Sequence, residues 1–333
     1  MKAIKVILAY RSPGRFWSIE CLFDCVAKAF PALVDVAVAT APCGRANLRS
    51  LLANLLWFQS LKDCDVIHQT GDIHYAILAV WRKPVVLTIH DLRFIEEAHG
   101  LKRILFWWLW LYLPCLRASR VTVISEFTKA RLLALCRINS TKVHVIPDCV
   151  GPEFTAVTKS WPVGKPRLLF VGTTENKNLP RMAKACAGLS VHLVVLGKLS
   201  PAQHGLLLGE GLAFEQHSNL NRQEVIALYS GCDLVAFPST YEGFGMPIIE
   251  GQAVGRPVLT SDLSPMREVA GGGALLVDPL SVEAIRAGLL RLLNDAGLRE
   301  NLVAAGFKNV QQYSASAVAM QYANLYGKVL AAS

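Results

Sequence analysis

Several signatures of common protein classes are missing from this sequence of 333 residues. Its nine cysteines include no C-x-x-C pair, and no histidine spacing is typical of zinc. No G-x-G-x-x-G motif follows a predicted strand, which argues against a dinucleotide-dependent oxidoreductase. There is also no zinc-finger, helix-turn-helix or RNA-binding signature. The scattered cysteines therefore predict reduced thiols in a cytoplasmic protein, with neither a disulfide framework nor a zinc module.

Long apolar runs are missing as well. The apolar run from Ile104 to Leu113 has ten residues, whereas a helix that crosses a bilayer needs about 20. The N-terminal MKAIKVILAY has a basic start, but no small-residue cleavage site follows its short apolar run. We interpret it as a first β-strand and not as a signal peptide.

Negative charge is comparatively scarce. The chain has 25 Asp and Glu against 34 Lys and Arg, which gives a formal charge of +9. This excess indicates an anionic partner, and nucleic acid, anionic lipid and a nucleotide diphosphate all fit it. Because no nucleic-acid-binding signature accompanies the charge, we expect no nucleic-acid partner.

Short β-branched runs alternate with helix-length segments along the whole chain. The first six runs are Ala3 to Ala9, Val34 to Thr40, Val66 to Gln69, Val85 to Ile89, Val121 to Ile124 and Val143 to Ile146. A stretch rich in Gly and Pro follows at 151–166. The pattern then restarts with runs at Leu168 to Val171, Val191 to Leu196, Leu234 to Phe237, Pro257 to Thr260 and Ala274 to Val277.

Such alternation predicts an α/β fold with parallel sheets covered on both faces. The length suits two domains, which we place at 1–158 and 159–314. A final helix at 315–333 is expected to cross back to the first domain. Two doubly wound, Rossmann-like domains imply a ligand in the cleft at the carboxyl ends of their strands.

The segment from Asp233 to Asp262 has the pattern of a strand, a glycine loop, a short helix and another strand. Gly243 and Gly245 let the loop backbone approach a ligand closely. The N–H groups of Phe244, Gly245 and Met246 would then point at a phosphate, helped by the dipole of the helix Met246 to Val254.

Two carboxylates frame this loop, Glu242 before it and Glu250 inside the helix. With seven residues between them, in YEGFGMPIIEGQAVGRPV, they resemble the E-x7-E signature of family 4 glycosyltransferases. The resemblance implies the two-domain GT-B fold, an acceptor-binding first domain, a nucleotide-sugar-binding second domain and retention of anomeric configuration. It also implies that Glu242 contacts the transferred sugar and Glu250 the ribose hydroxyls. The alternative is a Rossmann-type turn with two solvated glutamates.

The loop Gly172 to Asn178, GTTENKN, also follows a strand. In many members of the family this loop has a basic pair that grips the pyrophosphate of the donor. Lys177 matches the lysine, and Thr173, which takes the position at which some relatives have an arginine, is expected to bind the donor as well. We therefore expect Lys177, with help from Arg181, to bind the leaving diphosphate and no protein group. A solvated loop lysine is the alternative.

Three segments of the first domain resemble the family too. His90 and Asp91 in TIHDLRF match its HD segment, which implies that His90 lies close to the transferring sugar and diphosphate. A histidine that satisfies local backbone groups is the alternative. Gly14 matches a loop over the acceptor and diphosphate. Ser125 and Glu126 fit the family and equally fit a helix N-cap pair, and Asp148 is assigned only to a turn.

The segment LKRILFWWLWLYLPCLR, Leu101 to Arg117, allows two interpretations. An apolar helix of this length could be buried in the core. However, basic residues flank the run at Lys102, Arg103, Arg117 and Arg120, and Trp and Tyr favour the lipid interface. The second interpretation predicts a peripheral protein on the inner face of the cytoplasmic membrane, bound to anionic lipid.

Together these features predict a retaining transfer of a hexose from a nucleotide diphosphate sugar. Resemblance to bacterial O-antigen and capsule mannosyltransferases favours mannose, with a glycan or polyprenyl-diphosphate-linked acceptor. No metal or other cofactor is expected if Lys177 and the backbone N–H groups neutralise the diphosphate. The alternatives are a glycoside hydrolase, which also needs two carboxylates, and a non-catalytic nucleotide- or lipid-binding protein with the same fold.

Overall fold

The computed structural model describes residues 3–12, 18–45 and 47–332. The chain divides into two compact units. The first unit extends to Cys149 and also contains the segment from Ala315 onward, and the second unit is Val150–Ser314. The first unit thus ends before residue 158, at which the composition placed the domain boundary.

The first unit is built on a parallel sheet of six strands in the order β2-β1-β3-β4-β5-β6. All six predicted runs form strands. Their bounds are β1 Ile4–Tyr10, β2 Val34–Thr40, β3 Val66–Gln69, β4 Val85–Ile89, β5 Arg120–Val123 and β6 Val143–Val145. β3 and β4 are buried along their whole length, as expected of central parallel strands with both faces covered.

Helices cover both faces of this sheet. They are α1 Ser18–Lys28, α2 Leu48–Gln59, a 3₁₀ helix His74–Ala79, α3 Arg93–Glu96, α4 Gly100–Phe106, α5 Leu113–Arg117, α6 Glu126–Cys136 and a 3₁₀ turn Ser140–Lys142. A π-helical segment, Trp107–Tyr112, joins α4 to α5. α2, the first 3₁₀ helix, the π-helical segment, α5 and α6 contribute to one hydrophobic cluster, and α1 contributes to another.

The second unit has a parallel sheet of six strands in the order β12-β11-β10-β7-β8-β9. The strands are β7 Arg167–Val171, β8 His192–Leu196, β9 Ala213–His217, β10 Leu234–Phe237, β11 Val258–Ser261 and β12 Leu275–Val277. Strand β9, at the edge, was not predicted. Its sequence AFEQH has no apolar run, because an edge strand pairs on one side only and keeps part of its surface in water.

The helices of the second unit follow its strands in the usual α/β alternation. They are α7 Leu179–Cys186, α8 Pro201–Gly209, α9 Arg222–Gly231, α10 Met246–Val254, α11 Met266–Ala270, α12 Val282–Asn294 and α13 Ala296–Val310, with 3₁₀ turns at Glu175–Lys177 and Gln311–Tyr313. These observations confirm the predicted α/β architecture of two parallel sheets.

The C-terminal helix α14 (Ala315–Ala331) packs on the first unit. Val318, Tyr322 and Tyr326 join a hydrophobic cluster with residues of β1 and α1. The buried imidazole of His68 in β3 lies 2.7 Å from the Tyr326 hydroxyl through Nδ1. This buried polar contact fixes α14 to the centre of the first sheet.

The order of strands in the second unit creates a switch point between β7 and β10. These two strands are neighbours, while the chain runs outward from β7 to β9 and returns to continue from β10 to β12. Loops that leave adjacent strands in opposite directions open a crevice at their carboxyl ends, where α/β proteins bind ligands. The loops after β7 and β10 are those of Lys177 and Glu242.

Candidate active site

The structure brings Lys177 and Glu242 together at this switch point. Nζ of Lys177 lies 2.6 Å from Oε1 of Glu242, and the ammonium group also lies 4.7 Å from the centre of the Phe237 ring. The expectation that Lys177 has no partner within the protein is therefore wrong. Neither side chain is fully exposed, so the alternative of a solvated lysine is wrong as well.

Two further donors hold the carboxylate of Glu242. The Ser239 hydroxyl donates to Oε1 at 2.6 Å, and Nδ2 of Asn176 donates to the same oxygen at 3.2 Å. Among the described residues, no group donates to Oε2. These three contacts of the carboxylate are therefore all made through Oε1.

Asn176 ties the two loops of the site together. Its carbonyl oxygen accepts from the Thr240 N–H at 2.8 Å and lies 2.7 Å from Ser239 Oγ, whose single hydrogen it shares with Glu242. Its side chain donates to the Tyr241 carbonyl at 2.8 Å. Neither Asn176 nor Ser239 was predicted as a site residue. Their partners are far apart in the chain, so no local sequence pattern marks them.

The loop after β7 has a glycine where one is needed. Gly172 has φ +90, and a Cβ there would lie 2.8 Å from Cε of Lys177. Thr173, predicted to bind the donor, instead donates its hydroxyl hydrogen to the Lys198 carbonyl at 2.9 Å. Arg181 donates to the Asn178 side chain at 3.0 Å. Of these two cations, Lys177 is therefore the one whose side chain contacts Glu242.

The glycine loop leads into α10 as predicted, at Met246–Val254. Gly245 stands at the N-cap with φ +121, which a side chain rarely adopts. Phe244 is buried and packs against the Tyr313 ring at 5.6 Å. The N–H groups at a helix start have no acceptor within the helix, so this positive end can receive an anion beside Gly243 and Glu242.

Glu250 lies inside α10 and is 8% exposed. Its Oε2 accepts a hydrogen bond of 2.6 Å from the Tyr229 hydroxyl, and its Oε1 lies 3.9 Å from the Arg222 guanidinium. Burial raises the pKa of Glu250, and the Tyr229 hydrogen bond and the Arg222 charge oppose that rise. The alternative of two solvated glutamates is wrong, because Glu250 is buried and Glu242 is ion-paired.

In the first unit, His90 lies at the carboxyl end of β4. Nε2 faces the Thr70 carbonyl at 2.9 Å, and Nδ1 is 3.6 Å from the Asp148 carboxylate. Burial lowers the pKa of His90, but Asp148 and the Thr70 carbonyl more than offset this, so the pKa is raised. Asp148, assigned from sequence only to a turn, is therefore the residue that favours a charged imidazole.

Three other predicted positions have simpler outcomes. Ser125 accepts a hydrogen bond from the Thr128 N–H at 3.1 Å, which confirms its interpretation as the N-cap of α6. Asp91 is exposed and accepts from the Arg93 N–H at 3.1 Å. Gly14 lies outside the described residues. Among the described residues, no group of three or more His, Cys, Asp or Glu side chains is placed to hold a metal ion.

The segment Leu101–Arg117, here called the aromatic segment, has two different sides. Leu111 and Cys115 are buried, and the Trp107 indole donates to the Leu135 carbonyl at 3.1 Å. Five large apolar side chains of the segment face solvent: Leu101, Ile104, Leu105, Trp108 and Leu116. The core interpretation thus holds for one side only. Within the described part of the chain, every helix is too short or too polar to span a bilayer.

Both units match known glycosyltransferase families. Residues 154–309 match the model of glycosyl transferases group 1, and residues 4–154 match that of glycosyltransferase family 4. The chain is 25% identical over 279 residues to MMP alpha-(1->4)-mannosyltransferase of Mycolicibacterium hassiacum, covering 80% of this chain and 64% of that protein. It is 38% identical over 99 residues to O-antigen chain mannosyltransferase B of Escherichia coli, covering 30% and 26%.

Solved structures agree on the fold. The complex of Anabaena Alr3699/HepE with UDP and glucose superposes with a TM-score of 0.76 at 16% identity, covering 98% of this chain and 100% of that one. WaaG, a glycosyltransferase involved in lipopolysaccharide biosynthesis, gives a TM-score of 0.69 at 15% identity, covering 97% and 99%.

The chain spans between 26% and 64% of the length of these two curated relatives. The two family models together cover nearly all of the described chain, and the superposed structures share its two-sheet architecture. The chain therefore combines a part that matches the family 4 glycosyltransferase model with a part that matches the glycosyl transferases group 1 model, in the two-sheet α/β architecture of its structural neighbours. The glycoside hydrolase alternative does not agree with this assignment.

Proposed function

We propose that this protein transfers a hexose, with retention of configuration, from a nucleoside diphosphate sugar to a glycan or lipid-linked acceptor in polysaccharide synthesis. The observation that carries the proposal is the Lys177–Glu242 pair at the switch point of the second sheet, beside the N-terminus of α10. A cation, backbone N–H groups and a carboxylate meet where α/β sheets bind ligands. These groups are suited to a diphosphate and a sugar hydroxyl.

In this proposal the diphosphate binds the N–H groups around Phe244, Gly245 and Met246 and draws the Lys177 ammonium from Glu242. As the bond from the anomeric carbon to the phosphate oxygen breaks, negative charge grows on the diphosphate. Donors that are already oriented stabilise this charge more in the transition state than in the ground state. Glu242, released from Lys177, then accepts hydrogen bonds from the sugar.

The remaining roles follow the same assignment. Glu250 accepts hydrogen bonds from the ribose hydroxyls, and His90 contacts the sugar and diphosphate. No protein nucleophile is needed, because the acceptor hydroxyl attacks from the face that the diphosphate leaves. The acceptor oxygen bonds to the anomeric carbon, and a departing phosphate oxygen takes the acceptor proton. The donor groups in this scheme are protein groups, so it requires no metal ion.

The names of the relatives support the substrate class. One solved neighbour holds UDP and glucose, and another, the same Anabaena protein, holds UDP-glucose. O-antigen chain mannosyltransferase RfbU of Salmonella typhimurium is 27% identical over 251 residues, covering 68% of this chain and 67% of that one. We therefore take a nucleotide diphosphate sugar as the donor and mannose as the favoured sugar.

We also propose that the protein works in the cytoplasm, at the inner face of the cytoplasmic membrane. The exposed side of the aromatic segment combines Leu101, Leu105 and Trp108 with the exposed cations Lys102 and Arg103. An apolar surface with a basic margin suits the headgroup region of an anionic bilayer. A polyprenyl-diphosphate-linked acceptor would be held in the same bilayer.

A donor panel tests the proposed reaction. The purified protein is incubated with GDP-mannose, UDP-glucose and related sugars, and the released nucleotide diphosphate is measured with and without lipid-linked acceptor. We expect acceptor-dependent release from one donor, and retention shown by the anomeric coupling of the product. Tight nucleotide binding without turnover of any donor would instead support the non-catalytic alternative with the same fold.

A further inference from the structure

Helix α2 presents a row of leucines to solvent. Leu48, Leu52 and Leu56 are spaced by four residues, which places them on one side of the helix. Their exposed fractions are 72%, 52% and 68%. Of the other positions in α2, only Arg49 and Gln59 are exposed. The outer side of α2 is therefore mostly apolar, the reverse of an ordinary surface helix.

Polar contacts on the inner side of α2 fix its orientation. Asn54 is buried, and its Nδ2 donates to the Tyr75 hydroxyl and to the Cys43 carbonyl, each at 2.9 Å. The Cys43 N–H donates to Oδ1 of the same side chain at 3.1 Å. Rotating α2 to bury its leucines would break these buried hydrogen bonds, which is unfavourable. The leucines are thus held outward by the structure.

α2 covers the same face of the first sheet as the aromatic segment. Phe58 of α2 and Leu111 of the aromatic segment belong to one hydrophobic cluster. Tyr75, which contacts Asn54 of α2, lies 4.7 Å from the Trp110 ring. Because both helices lie on one face of one sheet, their outer sides point in the same general direction. The leucine row and the exposed side of the aromatic segment can therefore meet one flat surface.

The charges on both helices have the same sign. Arg45 and Arg49 are exposed at the start of α2, and Lys102 and Arg103 are exposed at the start of α4. Neither α2 nor the aromatic segment contains an Asp or Glu. Cations beside exposed leucines complement a surface that is anionic outside and apolar beneath, which describes an acidic bilayer.

We propose that α2 is a second membrane-docking helix, which binds acidic lipid headgroups through Arg45 and Arg49 and inserts Leu48, Leu52 and Leu56 below them. This inference rests on the membrane association proposed above and extends it from one helix to two. The chain enters α2 from the carboxyl end of β2, the edge of the first sheet at which His90 also lies. Docking through α2 would hold this edge next to the bilayer that carries the acceptor.

The test is co-sedimentation of the whole chain with two kinds of vesicles, phosphatidylcholine alone and phosphatidylcholine mixed with phosphatidylglycerol. The triple variant Leu48→Ser, Leu52→Ser, Leu56→Ser should lower partitioning into the mixed vesicles at least about tenfold. The double variant Arg45→Gln, Arg49→Gln should lower partitioning into the mixed vesicles about 30-fold, because each lost cation costs about fivefold. Its partitioning into the neutral vesicles should change little. All of these side chains are exposed, so folding is expected to persist and is checked by circular dichroism.

The matched control removes exposed leucines from the second unit. Leu208→Ser, Leu280→Ser and Leu290→Ser, at 60%, 60% and 38% exposure, should leave partitioning unchanged. If the native chain binds vesicles in a salt-sensitive way and the α2 leucine variant partitions as the native chain does, the role of α2 is overturned. The proposal for the aromatic segment then still stands. A native chain that stays in the supernatant would overturn both membrane proposals. If the native chain is a dimer, the leucine variant is a monomer and both partition equally, the leucines bind a second copy of the chain. That outcome would also overturn the inference.

Discussion

The buried hydroxyl of Tyr229 donates a hydrogen bond of 2.6 Å to Oε2 of Glu250. This contact occupies one oxygen of the carboxylate, and the other, Oε1, lies 3.9 Å from Arg222 and is the oxygen that we propose for the ribose. Arg222 is itself held by Glu153 at 2.6 Å and lies 4.8 Å from the Phe154 ring. A buried carboxylate needs such partners to remain ionised. The proposed ribose contact therefore depends on α9 as much as on α10.

Tyr229→Phe should make nucleotide binding sensitive to pH. Burial already raises the pKa of Glu250, and removal of the Tyr229 hydrogen bond eliminates a contact that lowers it. The pKa of Glu250 in the variant is therefore higher, and a larger fraction is protonated as pH falls. In calorimetric titrations with a nucleoside diphosphate, the affinity of both proteins should fall as the pH is lowered. The fall should begin at a higher pH in the variant than in the native protein.

The control for this experiment is Tyr326→Phe, which removes another buried hydroxyl, bonded to His68 in the first unit. The charged or titratable groups that act on Glu250 are Tyr229, Arg222 and Glu153, and only the first is changed in the test variant. Identical pH profiles for Tyr229→Phe and the native protein would show that the hydroxyl does not control the ionisation of Glu250.

Glu250→Ala should weaken nucleotide binding while the protein stays folded. The ribose hydroxyls would lose a charged acceptor, and such hydrogen bonds contribute about 1.5–3 kcal/mol, or about tenfold or more in affinity. Glu300→Ala, an exposed residue of α13, is the control. Unchanged affinity in the folded variant, measured by calorimetry, would remove Glu250 from the binding site.

The strand, glycine loop and helix around Glu242 and Glu250 could be predicted because their pattern is contiguous in sequence. Lys177 was selected because its loop follows a strand and resembles the pyrophosphate loop of the family. The groups that hold these residues could not, since Asn176 meets Ser239 and Glu242, and Tyr229 meets Glu250, only after folding. Asp148 was missed for the same reason, because its partner His90 lies on another strand end.

Lys177→Ala should slow transfer far more than it lowers stability. The ammonium group is proposed to stabilise charge on the departing diphosphate, and loss of one such donor costs about 10²–10³ in rate. In the variant the carboxylate of Glu242, which is 15% exposed, keeps its contacts with Ser239 and Asn176, and this limits the loss of stability. The matched control is Lys184→Ala, an exposed lysine of α7. A turnover rate close to that of the native enzyme would mean that another cation binds the diphosphate.

Asp148→Asn should lower stability more in acid than in base. The pKa of His90 is raised in the folded protein by Asp148 and the Thr70 carbonyl, against the effect of burial. The resulting stabilisation is fully present below the unfolded pKa of about 6.5 and is lost as pH rises through the folded pKa. Urea unfolding of the native and variant proteins at acidic and alkaline pH measures this difference, with exposed Asp91→Asn as control. A difference in stability that does not vary with pH would argue against a charged His90.

The last prediction concerns the exposed side of the aromatic segment. Trp107 is a poor target, because its indole donates to the Leu135 carbonyl and its ring stacks on Tyr112 at 4.6 Å. Leu105 and Trp108 are 52% and 44% exposed, and Trp108 meets the rings of Trp107 and Tyr112 only edge-on, at 5.0 and 5.2 Å. Leu105→Ser with Trp108→Ser should therefore weaken binding to acidic vesicles without loss of fold.

High salt should also release the native protein from such vesicles in part. Cations near an acidic surface each contribute about 1 kcal/mol, and salt screens that share but not the burial of apolar side chains. Co-sedimentation at low and high salt separates the two shares, with Leu208→Ser, Leu280→Ser as the control pair. If the Leu105, Trp108 variant sediments like the native protein at both salt concentrations, the exposed side of the aromatic segment does not contact lipid.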